Sequence, residues 1–303
     1  MDPLSDILSL VKPTAYGLRG LDAGGDWALA FARGDGIRAY AIDAGACWLD
    51  VEGFDNPIRL RAGDLALLTG DKAYRLYSAA DAPPIDAFTF FPTVPPGAVA
   101  VLNGGGGCIG VGGFFAFEGL HAEHLIGLLP PLVHVRGQSN RDDLRSSIGR
   151  LMRELRDPQP GNALIAGHFA QTLLVEALRL LLAERGTAGT GWLFALADAR
   201  INAAMTALHA EPARRWTLAT LAREAGMSRS SFSARFTQLV GEPAIDYLTR
   251  WRIMLAADRL ANFGMSIATA SLSVGYESES AFGAAFKRVT GVPPGQFART
   301  ARA

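Results

Sequence analysis

The sequence predicts an α+β chain of more than one domain: an N-terminal antiparallel β-barrel, helices after it, and a C-terminal all-α domain. Three observations predict this. Glycine use is uneven, with 20 of the 34 glycines before Pro130 and only 7 after Arg200. Charge is uneven as well. The formal net charge is +0, yet residues 200–303 hold 13 Lys and Arg against 7 Asp and Glu, which leaves +6 there and −6 on the remainder. The third observation is an internal repeat in the last hundred residues. With 303 residues, 49% hydrophobic and 19% charged, the chain is long and apolar enough for two cores, which excludes a disordered protein.

The first region alternates short apolar or β-branched runs with Gly, Pro and Asp turns. The runs are Trp27–Phe31, Arg38–Ile42, Cys47–Val51, Pro57–Leu60, Asp64–Leu68, Tyr74–Tyr77, Ala87–Phe91 and Cys108–Phe117. Short strands at such spacing indicate a sandwich or barrel. Pro92 to Gly107, which ends in four consecutive glycines, reads as a flexible loop.

From Arg141 the period becomes helical. Arg141–Arg156 forms one helix, stopped by Asp157-Pro158, and Asn162–Arg185 forms another, ended by Gly186. The second is apolar over most of its circumference and must be covered on several sides, within the chain or by a second copy. His168, Gln171, Glu176 and Arg179 interrupt it, so it does not read as a membrane span. The small residues Gly186–Gly191 read as a linker. The acidic start is not that of a signal peptide, and a cytoplasmic protein with no membrane partner is expected.

The repeat carries the function. Its first copy runs from Leu218 through Gly226, Phe232 and Phe236 to Gly241, Pro243 and Tyr247. The second runs from Ile267 through Gly275, Phe282 and Phe286 to Gly291, Pro293 and Phe297. Each reads as helix, turn, helix. Thr217 and Ser228 are N-caps, and Gly226 supplies the left-handed conformation a helix end needs. Phe232 and Phe236, at i and i+4, face the partner helix. Such a pair places its second helix in a DNA major groove. Between the copies, Pro243–Asn262 is one helix with Tyr247, Leu248, Trp251, Met254, Leu255 and Leu260 on its apolar face. Twenty residues span roughly 30 Å, close to the ~34 Å between successive major grooves on one face of DNA.

Residues 226–232, Tyr247-Leu-Thr-Arg-Trp-Arg252, Val274–Phe282, Phe286-Lys-Arg and residues 291–297 resemble the DNA-binding domain of AraC/XylS-type transcriptional regulators, over about Ile201 to Arg299. Asp2-Pro-Leu-Ser-Asp, Gly20-Leu-Asp-Ala-Gly-Gly, Cys47-Trp-Leu and Ala62-Gly-Asp resemble the cupin-type ligand domain of a subgroup. The resemblance implies a cupin-like sensor barrel over 1–140, a helical dimerisation segment and linker over 141–191, and a tandem helix-turn-helix domain over 192–303. It also implies double-stranded DNA, a small-molecule effector and a second copy of the chain as partners. Activation is favoured over repression, and RNA polymerase is then a further partner.

The recognition helices are expected over about Arg229–Leu239 and Glu279–Val289. Spacing and resemblance turn Ser230, Ser233, Ala234 and Thr237 toward DNA in the first, and Ser280, Gly283, Ala284 and Lys287 in the second. Relatives often carry Arg or Gln where Ala234 and Ala284 stand, so readout shifts to serines, methyl contacts, Arg229, Arg235 or DNA shape. Lys287 and Arg288 read as phosphate anchors. Ser271, in place of a small apolar residue, and Gly283, inside a helix, make the second unit the weaker.

A barrel of this kind could instead be a metalloenzyme, which would need clustered His and carboxylate ligands. Five histidines exist, none before Gly119, and Tyr40 and Tyr74 stand where cupin-like sequences commonly show His. His121-Ala-Glu123-His124 could suggest a metal but reads better as a solvated helix start. No metal, cofactor or catalytic residue is expected. Tyr40, Trp48 and Tyr74 are the expected lining of a ligand pocket. Three readings stay open beside the effector-controlled regulator: a cupin metalloenzyme fused to a DNA-binding domain, a redox-sensing regulator that uses Cys47 and Cys108, and a constitutive DNA-binding protein whose barrel is only a dimerisation module.

Overall fold

The computed structural model describes residues 2–34, 36–95, 97–117, 129–137, 142–185 and 189–300. They divide into two compact units: residues 13–117 with 129–181, and residues 2–12 with 182–300. His121, Glu123 and His124 lie outside the described residues.

The first unit is a barrel of two facing sheets. One sheet has the order Leu132–Val135 (β11), Leu65–Thr69 (β6), Ile37–Ala44 (β3), Cys108–Ala116 (β10), Thr14–Ala23 (β1) and Val99–Leu102 (β9). The other has the order Ile58–Arg61 (β5), Ala46–Val51 (β4), Tyr74–Tyr77 (β7), Ala28–Phe31 (β2) and Pro84–Asp86 (β8). Alternation along β4 buries Cys47, Leu49 and Val51 in the common core and turns Trp48 outward. Residues 142–156 (α3) and 162–185 (α4) are the two expected helices. Leu151 of α3 and Ala170, Leu173 and Leu174 of α4 close over Leu18, Ala39, Leu65 and Leu67 on the outer face of the larger sheet. By length and composition α4 is apolar enough to cross a membrane; in this fold Ala170, Leu173 and Leu174 pack on the sheet, while Leu164 and Ile165 are exposed.

Three expectations change. The run at Ala87–Phe91 is not a strand but a helical turn, Ala87–Phe90 (α2), with a 3₁₀ turn over Phe91–Thr93. The Asp86 carboxylate caps it by accepting from Phe88 N at 2.9 Å, a local bond that outweighs the β-propensity of the aromatics. The stretch Pro92–Gly107 contains β9, which pairs parallel with Gly20–Ala23. The residues up to Lys12 group with the C-terminal helices rather than with the barrel.

The turn before β6 is held by Asp64. Its carboxylate accepts from Arg61 N at 3.0 Å and Gly137 N at 2.7 Å, and lies 3.1 Å from His134 Nε2. Burial pushes this acid up, but those bonds to the charged form outweigh it and leave it below its ordinary value.

The second unit begins with Pro3–Val11 (α1), capped by Asp2. Then come Trp192–Ala195 (α5), Ala199–Ala210 (α6), Leu218–Glu224 (α7), Arg229–Val240 (α8), Ala244–Asn262 (α9), Ile267–Ser273 (α10), Glu279–Thr290 (α11) and Pro294–Thr300 (α12). Helix α1 packs on α6 and α9. At that contact His209 is buried, stacked on Trp251 at 4.1 Å, with Nε2 2.8 Å from Tyr247 Oη and Nδ1 3.3 Å from Asp6 Oδ2. Burial lowers its pKa to about 3, so the ring is neutral at pH 7.

Two stability predictions follow from these groups. Asp64→Ala should cost about 1–3 kcal/mol, because two amide donors lose their acceptor. In the unaltered chain Asp64 stabilises fully above the ordinary carboxyl range, near ~4, and that stabilisation drains as pH falls through its lowered value. His209 acts at higher pH. Its folded value lies below the unfolded ~6.5, so the stabilisation is whole above that and lost as pH falls, by about 2 kcal/mol between pH 7 and 5. Denaturant melts at both pH values, with His209→Phe as the flat control, check the second; equal slopes in the two proteins would contradict it.

Candidate DNA interface and barrel cavity

The two recognition helices, α8 and α11, have the same construction. Ser228 caps α8 by accepting from Ser231 N, and Ser278 caps α11 by accepting from Ala281 N. Each ends at a glycine in the left-handed region, Gly241 at φ 90° and Gly291 at φ 79°. Helix α7, before the first, carries a capping box between Thr217 and Thr220. Phe232 and Phe236 lie 5.5 Å apart, ring to ring, as do Phe282 and Phe286, and all four are buried. Phe236 meets Tyr247 of α9 edge-on at 5.8 Å. Phe282 and Phe286 share a core with Ile253, Ala256 and Leu260 of the same helix. One helix of 19 residues, about 28 Å long, therefore carries both units.

Burial of the four phenylalanines leaves the opposite faces of α8 and α11 for a partner. On α8, Arg229, Ser230, Ala234 and Thr237 are exposed and Ser233 is half-buried. On α11, Ser280, Ala284, Lys287 and Arg288 are exposed and Gly283 is half-buried. Arg235 is otherwise engaged. Its guanidinium lies 3.0 Å from Asp198 Oδ2, and the same aspartate caps α6 through Arg200 N and Ile201 N. Sequence reasoning missed this use because Asp198 lies 37 positions away. In the second unit Ser271 is buried at the site of Ala222, and its hydroxyl donates to Ala268 O at 2.9 Å.

The barrel holds a cavity of about 170 Å³. Tyr40 lines it; Tyr74 and Trp48 do not. Tyr74 stacks on Phe31 and hydrogen-bonds through its hydroxyl to that of Tyr40, so it supports the wall from behind. Trp48 faces outward by strand alternation, under the Arg59 guanidinium. Sequence reasoning also missed Arg19, which lines the cavity. The signal was present: Arg19 shares the inward parity of Leu21 and Ala23, but β1 was not read as a strand.

Cys47 and Cys108 both line the cavity, from opposite sheets. The backbones come close here because Gly45 carries no Cβ; one would stand 1.9 Å from Gly107 O. The two buried thiols are neighbours: Cys108 and burial push the Cys47 thiol up, and Cys47 lowers that of Cys108. Among the described residues no three His, Cys, Asp or Glu side chains converge as a metal site requires.

Comparison with known proteins covers both units. A cupin family model matches residues 2–183, and a helix-turn-helix domain model matches residues 221–300. A putative AraC-like transcription regulator of Streptomyces lividans is 40% identical over 298 residues, 98% of each chain. One of Streptomyces antibioticus is 40% identical over the same share. The RCS-specific HTH-type transcriptional activator RclR of Escherichia coli K12 is 27% identical over 307 residues, 100% of this chain and 99% of its own.

Four changes test these assignments. A Cβ on Gly283 would meet nothing within 4 Å, so Gly283→Ala should stabilise the second unit by about 0.5–1 kcal/mol. Lys287→Ala or Arg288→Ala should weaken binding to all DNA alike and lower the salt slope by about one. Arg235→Ala should instead lower the melting temperature; a changed salt slope at full stability would return Arg235 to the DNA face.

Proposed function

The chain belongs to the AraC-type transcriptional regulators, with a cupin domain before the helix-turn-helix domain, and from that premise we propose an effector-controlled, homodimeric activator of transcription in the cytoplasm. It is a DNA-binding regulator rather than an enzyme. The observation that carries the reading is the pair of capped recognition helices mounted on α9, with exposed faces bearing Arg229, Ser230, Thr237, Ser280, Lys287 and Arg288. Arg229, Ser233 and Thr237 are the base readers in this reading, and Lys287 and Arg288 the phosphate anchors.

The finer parts have separate support. An apolar cavity inside the barrel suits an effector. Leu164 and Ile165, 72% and 40% exposed on α4, suit a second copy of the chain. The name of the Escherichia coli relative supports activation, hence contact with RNA polymerase. The domain division that goes with this reading is a sensor over 1–140, a dimerising segment over 141–191 and a DNA-binding part over 192–303, except that α1 groups with the DNA-binding helices.

The reading is tested by selecting genomic fragments on the purified chain. A discrete sequence should be enriched on the order of 10³-fold or more over bulk DNA; uniform retention would reject it. For the dimer, Leu164→Glu with Ile165→Lys should give monomers in sedimentation and weaken operator binding by about 10²-fold through lost avidity. An unchanged mass would place the dimer contact elsewhere.

One observation favours a second reading. Two buried thiols from opposite sheets line one cavity, and their oxidation to a cross-sheet disulfide would make the barrel a redox sensor. Treatment with peroxide should then remove two hydrogens from the chain and change operator affinity, with both effects absent in Cys47→Ser. A reduced, unresponsive chain would dismiss this reading.

A further inference from the structure

We propose that the barrel cavity takes a small apolar carboxylate, of about the bulk of one aromatic ring, with its acid group held by Arg19. The inference rests on the reading of the barrel as an effector site and names the class of effector.

Among the described residues, Arg19 is the one charged side chain on a wall otherwise built from residues such as Trp27, Leu29, Ile42 and Leu76. It is placed there by strand alternation. The register of β1 against β10 runs unbroken from Arg19 to Ala23, so Arg19 has the parity of Leu21, and the bulge, where Gly17 takes φ +61°, falls just before it. The guanidinium is under-used. Nη1 makes a long, solvent-exposed bond of 3.4 Å to Gly17 O, and Nε is buried with no hydrogen-bond partner. No carboxylate among the described residues lies within ion-pair distance. Arg38 also has an unpaired Nε, but its two Nη groups donate to Lys72 O and Gly34 O, and it does not line the cavity.

A buried donor without an acceptor is costly, and a carboxylate repairs it by taking two parallel N–H bonds from the fork. The rest of the wall narrows the class. A sugar would bring several hydroxyls, yet the Tyr40 hydroxyl is tied to Tyr74 and the two thiols are weak hydrogen-bonding groups. Each unmatched hydroxyl would be buried at a cost. A phosphate dianion would meet a single cation and keep one charge uncompensated. The volume sets the size. A cavity of roughly 150 Å³ takes a benzene ring, and this one measures about 170 Å³. Phe88, 52% exposed, belongs to the lining, so the cavity reaches the surface beside α2.

The test is calorimetric titration of the full chain with benzoate, phenylacetate and hexanoate, each paired with the neutral amide of the same skeleton. The acids should bind at least tenfold more tightly than their amides. Arg19→Gln should remove that preference while leaving amide affinity unchanged, and Arg19→Lys should restore part of it, since a point charge lacks the fork. Amides that bind as well as or better than acids in the unaltered chain would overturn the carboxylate and leave the barrel as an effector site. Acid preference unchanged in Arg19→Gln would overturn the role of Arg19. Binding of neither series would overturn the effector reading together with this one. The acid–amide comparison in the unaltered chain decides the ligand class even if the Arg19 variants fail to fold.

Discussion

The DNA-binding half depends on one helix being buried nearly all the way round. Tyr247, Leu248, Trp251, Ile253, Met254, Ala256, Ala257 and Leu260 of α9 are all buried. The first half of that helix receives Phe236, and the second receives Phe282 and Phe286. A helix so enclosed has little freedom to roll or bend, because any change opens one of two close-packed cores. The orientation of each recognition helix is therefore set by the same rigid body. The small residues at Ala256 and Ala257 let the second unit approach closely, while Trp251 and the stacked His209 fill the wider contact with the first.

The barrel depends on a different constraint, the two-residue alternation of a strand. The same period that brings Cys47 inside puts Trp48 outside and, past the bulge in β1, sets Arg19 on the side of Leu21. Glycines on β10 then leave room between the sheets. A Cβ on Gly112 would stand 2.7 Å from the Tyr40 ring, so the cavity wall and the aromatic that lines it fit only without a side chain there. A sensing function on such a wall is a matter of a few polar groups set in an apolar enclosure.

The DNA-binding half was legible because its signals are local: caps, glycine ends and an i, i+4 aromatic pair in each repeat. The expected limits of α8 and α11 differ from the observed ones by a single residue at the C-terminus. The barrel was harder. Most strands were visible as alternating runs, but β1 was hidden by Gly17, Gly20 and a bulge, and Ala87–Phe90 was decided by the Asp86 cap rather than by its aromatics. Partners distant in sequence were not visible at all. The pairing of Arg235 with Asp198 and of Cys47 with Cys108, and the position of α1 on α6 and α9, follow from tertiary packing that no local pattern encodes.

The central claim is that α9 holds two recognition helices for two successive major grooves. Methylation interference on the selected operator measures this directly, since guanine N7 lies in the major groove. One protomer should give two clusters of interfering guanines about 10–10.5 base pairs apart on one face of the duplex. Arg229→Ala should weaken one cluster and Ser280→Ala the other. A single cluster, lost equally with either substitution, would mean that only one helix enters a groove and would contradict the account.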